Sequence, residues 1–253
     1  IFNEGRYEMD FEDLERKAQD PAVKLLLLCS PHNPVGRVWT RDELIRLGDI
    51  CLRNNVLVIA DEIHCDLVYE GFCHTPFASL KENFLKNSIT CTAPSKTFNI
   101  AGLQISNLII PDRTIRNKVT RELNISRVGD PNVFAVEALI AAYTEGEEWL
   151  QQLMEYLKGN LDYLCAFSEE HLPDFKVIMP QGTYLVWLDC SALKMNCEEL
   201  NRFFLDNARV QINEGSMFGR NGEGFVRINI ACPRALLEEG LNRIKEAVNS
   251  RKV

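Results

Sequence analysis

Short apolar runs separated by helical patterns are the feature that most constrains the fold of this chain. Each run is strand-sized and nearly uninterrupted, which is typical of strands buried on both faces of a sheet. Amphipathic helical patterns with capping residues lie before and after the first run. The pattern predicts an α/β unit with a largely parallel sheet, with strands at residues 24–30, 56–60, 88–92 and 105–110 and helices at residues 10–19 and after Thr40.

The second half of the chain has a different pattern. A long helical period at residues 146–171 follows two shorter ones at residues 112–122 and 132–143. We therefore expect a large domain over residues 1–155, which carries the mostly parallel sheet, and a small α+β domain over residues 156–253. The predicted elements of the small domain are strands at residues 176–178, 182–188, 210–212 and 225–230 and helices at residues 198–207 and 234–250.

Composition excludes several classes of protein. The 253 residues carry a net charge of −8, which disfavours nucleic-acid and anionic-membrane partners. No apolar stretch approaches the roughly 20 residues that span a bilayer. Neither the nine cysteines nor the four histidines have the spacing of a metal site. The cysteines mostly lie in apolar runs, so we expect reduced thiols that act as small core side chains, and a cytoplasmic protein.

Lys96 is the residue with the most specific chemistry. It lies in a hydroxyl-rich string, Thr92-Ala-Pro-Ser-Lys-Thr-Phe98, directly after a predicted strand. A lysine amine condenses with an aldehyde, and this bond is how proteins anchor pyridoxal phosphate. A lone lysine after a strand is far more often a surface residue, so this interpretation depends on the residues that accompany Lys96.

Three further polar residues follow the predicted strands. The carboxylate of Asp61 can pair with a protonated pyridine nitrogen, although it can also cap a helix. The amide of Asn33 can donate to a phenolic oxygen, although Asn-Pro also favours a simple turn. His64 either contacts the same ligand or is a structural histidine. Because ligands bind at the carboxyl ends of parallel strands, we expect Asn33, Asp61 and Lys96 at one edge of the sheet.

Arg227 interrupts an apolar strand pattern. Alternation places Val226, Ile228 and Ile230 on one face of the strand and Arg227 on the other. An arginine in such a strand needs an anion, and a substrate carboxylate bound by two guanidinium nitrogens is a suitable one. An internal Asp or Glu is the alternative. The glycine-rich segment 219–224 lacks phosphate-loop spacing and predicts a turn.

These residues lie in strings that resemble the aspartate aminotransferase superfamily, the fold type I pyridoxal phosphate enzymes. The similarity runs from about Gly5 to the C-terminus and is nearest to bacterial C–S lyases, the cystathionine β-lyases of the PatB and MalY type. The strings are Ser30-Pro-His-Asn-Pro-Val-Gly-Arg37, Asp61-Glu-Ile-His64, Ala93-Pro-Ser-Lys-Thr-Phe-Asn99 with Ala101-Gly-Leu-Gln104, and Arg227-Ile-Asn229 with Cys232-Pro-Arg234.

The resemblance implies an α/β, PLP-dependent transferase-like fold. The large domain would have three layers around a mostly parallel sheet, incomplete in this chain, and the small domain would be α+β. The implied cofactor is pyridoxal 5'-phosphate, the substrate an amino acid, and the intact protein a homodimer.

The same resemblance implies roles for individual residues. Lys96 would hold the cofactor and move the Cα proton of the substrate. Arg227 would bind the substrate carboxylate. The remaining cofactor contacts would come from Asp61 at the pyridine nitrogen, Asn33 at the phenolic oxygen, His64 near the ring and Ser95 at the phosphate.

This sequence departs from the aminotransferase pattern at two positions. His64 stands where aminotransferases usually have tyrosine, and Gln104 stands where they usually have an arginine that binds the phosphate. Both departures fit the C–S lyase group better. The chain also opens on Ile1, without methionine or the features of a signal peptide. We expect the family's N-terminal portion to be missing, and with it the phosphate loop, the ring-stacking aromatic residue and the outer strands of the sheet.

Three functions are compatible with the sequence. The first is a β-lyase that converts cystathionine or similar cysteine thioethers to a thiol, pyruvate and ammonia. The second is a class I/II aminotransferase, because both reactions use the same core residues. The third is a non-catalytic regulatory or interaction remnant of such an enzyme.

Overall fold

The computed structural model of the chain describes residues 1–3 and 5–251. The chain folds into two units. The first comprises Ile1–His32 and Arg37–Gln151, and the second comprises Asn33–Gly36 and Gln152–Val253. The expected domain boundary after residue 155 stays a prediction.

A four-stranded sheet forms the centre of the first unit. Its strands lie in the order β3 (Leu25–Cys29), β4 (Leu57–Asp61), β5 (Ser88–Thr92) and β6 (Asn107–Ile109). The first three strands are parallel and β6 is antiparallel to β5. The predicted α/β class with a mostly parallel sheet is therefore confirmed. A separate antiparallel pair is formed by β1 (Phe2–Asn3) and β2 (Arg6–Tyr7).

Two capped helices contribute side chains to the core of the first unit. In α1 (Phe11–Ala18), the side chain of Asp10 accepts the N–H of Asp13. In α2 (Arg41–Arg53), Thr40 and Glu43 form the predicted capping box. The apolar face predicted for α2 is buried against the sheet and against neighbouring helical turns, and it consists of Leu44, Leu47, Ile50 and Cys51.

The prediction that the first strand is buried on both faces is wrong. Leu25 is 54% exposed and Leu27 is 67% exposed, whereas Leu28 is buried. The reason is the position of β3 at the edge of the sheet, where one of its faces has no cover among the described residues. The opposite edge strand, β6, likewise exposes Leu108 and Ile109.

The remaining helices of the first unit differ greatly in length. Two are single turns, α3 (Glu82–Lys86) and α4 (Pro94–Thr97). Two are longer, α5 (Arg113–Ile125) and α6 (Ala135–Glu145), and Ala135 is the one buried residue that they contribute within the described chain. The long helix α7 (Glu147–His171) begins in this unit. Its predicted apolar face is buried only from Leu157 onward, since Trp149 and Tyr156 are partly exposed.

The second unit has an antiparallel sheet with helices packed against it. The strand order is β7 (Lys176–Ile178), β8 (Leu185–Asp189), β10 (Phe225–Asn229) and β9 (Asn213–Glu214). The helices are α8 (Cys197–Arg202), which continues into a π-helical turn at Phe203–Asn207, and α9 (Arg234–Arg251). Buried side chains of α7 and α9 form much of the core, including Leu157, Leu161, Leu164, Leu237, Leu241 and Ile244.

Two strand predictions in this unit are wrong at their starts. The strand predicted from residue 182 begins at Leu185, because Thr183 has a φ of 68° and is not extended. The strand predicted at residues 210–212 is instead Asn213–Glu214. Here Arg209, with a φ of 54°, follows the π-helical turn and delays the extended backbone.

Two expectations from the sequence concern the burial of the cysteines and membrane-spanning segments. All nine cysteines lie in the described part of the chain and are free thiols. Two of them, Cys51 and Cys190, are buried, so the expectation of core side chains holds for these two; it is wrong for the exposed Cys73, and the other six are partly buried. No helix in the described residues combines the length and apolar character needed to cross a bilayer.

Candidate active site

The six predicted site residues divide between the two units. Asp61, His64, Ser95 and Lys96 belong to the first unit, and Asn33 and Arg227 belong to the second. Within each unit the structure brings predicted residues together. We describe the two sets separately.

Asp61 is a half-buried carboxylate at the carboxyl edge of the parallel sheet. The sheet register aligns it with Cys29 on one side and Cys91 on the other, so three strands end at the same level. Within the described residues, its one side-chain hydrogen bond comes from the N–H of Ile63, at 3.3 Å. The Asp61 carboxylate can therefore accept a further hydrogen bond from a stronger donor.

Opposing effects act on the ionisation of Asp61. Burial raises the pKa of Asp61 above its ordinary value of 3.8, and the charge of Glu62 acts in the same direction. The N–H of Ile63 and the positive charge of Lys96 lower this pKa, but by less. A cation that bound at Asp61 would therefore stabilise a carboxylate that the protein itself solvates poorly.

Lys96 lies on α4, the short helix that follows β5. Pro94 occupies the first turn of this short helix, where its fixed φ suits the backbone and its missing N–H has no helical partner to lose. The side chain of Lys96 is partly exposed, and its ammonium has no hydrogen-bond or salt-bridge partner in the described part of the chain. The neighbouring Ser95 is also partly exposed. Both side chains are thus accessible for a ligand.

Thr97 anchors α4 from the residue next to Lys96. Its side chain is fully buried, and its hydroxyl donates to Asp66 Oδ2 at 2.8 Å. Asp66 comes from the segment that follows β4, so this bond ties the lysine-bearing turn to the segment that begins at Asp61. Sequence reasoning did not single out either residue, because a Thr–Asp pair so far apart in the chain leaves no local pattern.

Glu62 is a second residue that sequence reasoning missed. It is buried beside Asp61, and its Oε1 accepts the N–H of Phe77 at 2.8 Å. Its Oε2 lies 3.3 Å from Nε2 of His74. Glu62 therefore holds the segment around residues 74–77 against the end of β4. The sequence gives only a weak signal of this arrangement: an acidic residue directly after Asp61, and a later histidine, His74, to which no role is assigned.

His64 and Gln104 are the two positions at which the sequence departs from aminotransferases. His64 is 2% exposed, which is what the alternative of a structural histidine expects, and its contact with a cofactor stays a prediction. Gln104 is exposed and has a left-handed backbone with a φ of 54° after a short helical turn.

In the second unit, Asn33 and Arg227 are in direct contact. Nη1 of Arg227 donates to Oδ1 of Asn33 at 2.7 Å, and Nη2 donates to Oδ1 of Asn213 at 2.8 Å. Asn213 is the cross-strand neighbour of Arg227 in the pairing of β9 with β10. The guanidinium carbon also lies 4.7 Å from the centre of the Phe218 ring. Three neutral groups thus surround one cation.

The charge of Arg227 is not balanced by an acid. No carboxylate of the described residues lies within 4.0 Å of its guanidinium nitrogens, and its buried Nε has no hydrogen-bond partner there. Burial lowers the pKa of Arg227, and the nearby Tyr184 raises it by less. The predicted alternative of an internal Asp or Glu partner is therefore wrong for the described chain. The predicted orientation of Arg227 is correct, because Val226 and Ile228 are buried on the opposite face.

The turn that carries Asn33 is fixed by close backbone contacts. The carbonyl of Gly36 accepts the N–H groups of Gln181 and Gly182, at 2.8 and 3.1 Å. Gly36 has a φ of +68°, and a Cβ there would lie 2.5 Å from Cβ of Pro180. Only glycine satisfies both conditions, so Gly36 sets the position from which Asn33 reaches Arg227.

Residues 2–244 match the model of the family described as aminotransferase class I and II. Cystathionine β-lyase PatB of Bacillus subtilis is 48% identical over 97% of this chain and 64% of its own length.

Two solved structures are also closely similar. Cystalysin of Treponema denticola, which contains a pyridoxal 5'-phosphate cofactor, matches with a TM-score of 0.97 and 39% identity over 99% of this chain and 64% of its own. The PLP-bound C–S lyase of Staphylococcus hominis matches with a TM-score of 0.91 and 41% identity over 98% of this chain and 63% of its own. The chain thus spans 63% to 64% of the length of these three proteins.

Proposed function

Because the chain belongs to the aminotransferase class I and II family, we propose that it acts as a pyridoxal phosphate-dependent carbon–sulfur β-lyase. Its substrate would be cystathionine or a similar cysteine thioether, and its products a thiol, pyruvate and ammonia. The observation that carries this proposal is the half-buried carboxylate of Asp61 at the sheet edge, whose ionised form the charge of Lys96 favours, in a chain that is 48% identical to a cystathionine β-lyase.

The residues present fit pyridoxal phosphate. Burial raises the pKa of Asp61, so its carboxylate would gain from a protonated ring nitrogen as hydrogen-bond donor. The amine of Lys96 has no internal partner within the described chain and suits an aldehyde. Ser95 would contribute to phosphate binding and His64 would lie near the ring. The Nδ2 amide group of Asn33 would donate to the phenolic oxygen, since Oδ1 is bonded to Arg227.

Lys96 and Arg227 would carry out the reaction steps on the substrate. Arg227 would bind the α-carboxylate through N–H groups that no protein carboxylate occupies. Lys96 would take the proton from Cα, and the Cβ–S bond would then break with its electron pair leaving on sulfur as a thiolate. The bound pyridoxal ring would supply the electron sink that makes the Cα proton acidic. The remaining aminoacrylate hydrolyses to pyruvate and ammonia.

An aminotransferase is the second candidate, and the family match favours it. In that reaction Lys96 would return the proton to the cofactor carbon, and no C–S bond would break. The two are separated by incubating the purified protein and pyridoxal phosphate with cystathionine, with and without a keto-acid acceptor. Sustained pyruvate release without an acceptor is expected. Release that requires the acceptor would contradict the lyase.

Cofactor attachment at Lys96 has its own test. Adding pyridoxal phosphate to the protein should produce a visible imine absorbance that the Lys96→Ala variant lacks. The Lys86→Ala variant is the matched control, because Lys86 is an exposed helical lysine paired with Glu82. An imine band of equal strength in Lys96→Ala would contradict the assignment.

The proposal extends to a homodimer in the cytoplasm. The nine free thiols support a reducing compartment, and the family resemblance supports the dimer. Sedimentation equilibrium of the purified protein tests the dimer directly, and a monomer at all concentrations would contradict it.

A further inference from the structure

We propose that Asn213 is a positioning residue, which holds Arg227 in the orientation needed for the substrate carboxylate without using its charge. This inference rests on the proposed function of Arg227 as the carboxylate-binding residue. It assigns a role to a residue that the sequence did not indicate.

Geometry is the first argument. Each terminal nitrogen of the guanidinium donates to one amide oxygen, Nη1 to Asn33 and Nη2 to Asn213. Because the guanidinium is planar, two anchors on different nitrogens fix the rotation of its plane. Each terminal nitrogen still has a second N–H. The β9–β10 register places Asn213 directly across from Arg227, so a backbone ladder sets this arrangement.

Charge is the second argument. The next residue on β9, Glu214, is the nearest acid along the strand, but it pairs with Val226 and lies on the other face. Its Oε1 accepts the hydroxyl of Ser216 at 2.6 Å. Asn213 thus gives Arg227 an oxygen acceptor without a negative charge. An aspartate has nearly the same shape, but it would form a salt bridge with Arg227 and compete with a bound carboxylate.

The shape-matched substitution Asn213→Asp tests this role. Asn249→Asp is the control, because it adds the same charge at an exposed position in the last turn of α9. For the protein loaded with pyridoxal phosphate, we expect Asn213→Asp to raise KM for cystathionine at least about tenfold, while kcat changes less than about threefold. Asn249→Asp should leave KM within about twofold.

A second readout does not depend on the reaction. In the ¹⁵N-labelled protein without cofactor, the Nε–Hε signal of Arg227, assigned by its absence in Arg227→Lys, should shift on titration with acetate. Asn213→Asp should weaken the acetate affinity at least about tenfold, and Asn249→Asp should not. If Asn213→Asp does not fold, Asn213→Ser keeps the neutral charge and should retain the acetate affinity better than Asn213→Leu, which has no acceptor.

The outcomes separate this inference from the proposed function. Acetate binding that falls in Asn213→Asp, in a protein that never cleaves cystathionine, would contradict the lyase and leave the role of Asn213 standing. Equal acetate affinity in the wild type and Asn213→Asp would overturn the role of Asn213 whatever the reaction. Equal effects of Asn213→Asp and Asn249→Asp, or of Asn213→Ser and Asn213→Leu, would overturn it too.

Discussion

The positive charge of Lys96 acts on the half-buried carboxylate of Asp61, although the two residues belong to different elements of the first unit. Burial is the largest effect on the pKa of Asp61 and raises it, and Lys96 opposes that effect. Because the charge of Lys96 favours the ionised form of a carboxylate that burial disfavours, the two residues are candidates for one catalytic centre.

Replacing Lys96 with methionine should raise the pKa of Asp61 further. The substitution keeps the length of the side chain but removes the cation that favours the ionised carboxylate. Carbon-13 NMR of the Asp61 carboxyl group, titrated with pH and assigned with Asp61→Asn, measures the change. Lys86→Met should have no effect on Asp61, since Lys86 pairs with Glu82 on the surface. An unchanged or lower pKa in Lys96→Met would contradict the electrostatic link.

Asp61→Asn should make the protein more stable at neutral pH. The unfolded chain ionises Asp61 near its ordinary pKa of 3.8, whereas the folded protein holds the proton to a higher pH. The stability that this proton contributes is present below pH 3.8 and is lost as the pH rises through the raised pKa. Asparagine does not ionise and avoids this loss.

Urea denaturation at neutral pH and below pH 3.8 tests the effect of Asp61→Asn. The gain in free energy of unfolding should be present at neutral pH and disappear in acid. Asp49→Asn is the control, because Asp49 forms a surface pair with Lys81 and its loss should give no gain. A wild type that is equally or more stable than Asp61→Asn at neutral pH would contradict the prediction.

The elements that position Asp61 and Lys96 could be predicted because their signals are local. The capping box of Thr40 and Glu43 is a four-residue pattern, and apolar runs mark the strand that ends at Asp61 and the strand that precedes α4, which carries Lys96. Burial of the first strand could not be predicted in the same way. Whether Leu25 and Leu27 are covered depends on what packs on the sheet edge, and the apolar run is the same in either case.

The environment of Arg227 could be predicted only in part. Alternation correctly gave its face of the strand, because that depends only on neighbouring residues. Its contact with Asn213 depends on the pairing of the two-residue strand β9 with β10. Because the sequence placed that strand three residues too early, it did not indicate Asn213 as the neighbour of Arg227. The contact of Glu62 with His74 was missed for a similar reason, since a loop conformation brings them together.

Glu43→Gln should destabilise the protein by roughly 1.5–3 kcal/mol, the range for a hydrogen bond to a charged group. Both carboxylate oxygens of Glu43 accept from Nη2 of the buried Arg37, at 2.6 and 2.8 Å. Burial raises the pKa of Glu43, but hydrogen bonds from Thr40 and the charge of Arg37 together lower it below 4.5. The stability from the ionised form is therefore present above pH 4.5 and lost as the pH falls through the lowered pKa.

The pH dependence distinguishes this ion pair from a simple packing defect. The difference between wild type and Glu43→Gln in urea denaturation should be largest above pH 4.5 and shrink in more acidic solution. Glu82→Gln, which affects an exposed helical pair with Lys86, should leave the free energy of unfolding nearly unchanged at every pH. A difference that stays constant with pH would contradict the role of the Glu43 charge.

Asn160→Ala should lower the free energy of unfolding by roughly 2–4 kcal/mol, because it leaves two backbone carbonyls without their donor. Asn160 is fully buried on α7, its Nδ2 donates to the carbonyls of Ile230 and Cys232, and its Oδ1 accepts from Nε of Arg234. These bonds hold the connection between β10 and α9, just beyond Arg227.

The control variant Asn242→Ala removes one bond to a helix carbonyl and should lower the free energy of unfolding by less than about 1 kcal/mol. Asn160→Asp should be as damaging as Asn160→Ala, since it retains the acceptor for Arg234 but not the donors. If urea denaturation shows Asn160→Asp to be as stable as the wild type, the donated bonds do not stabilise this connection.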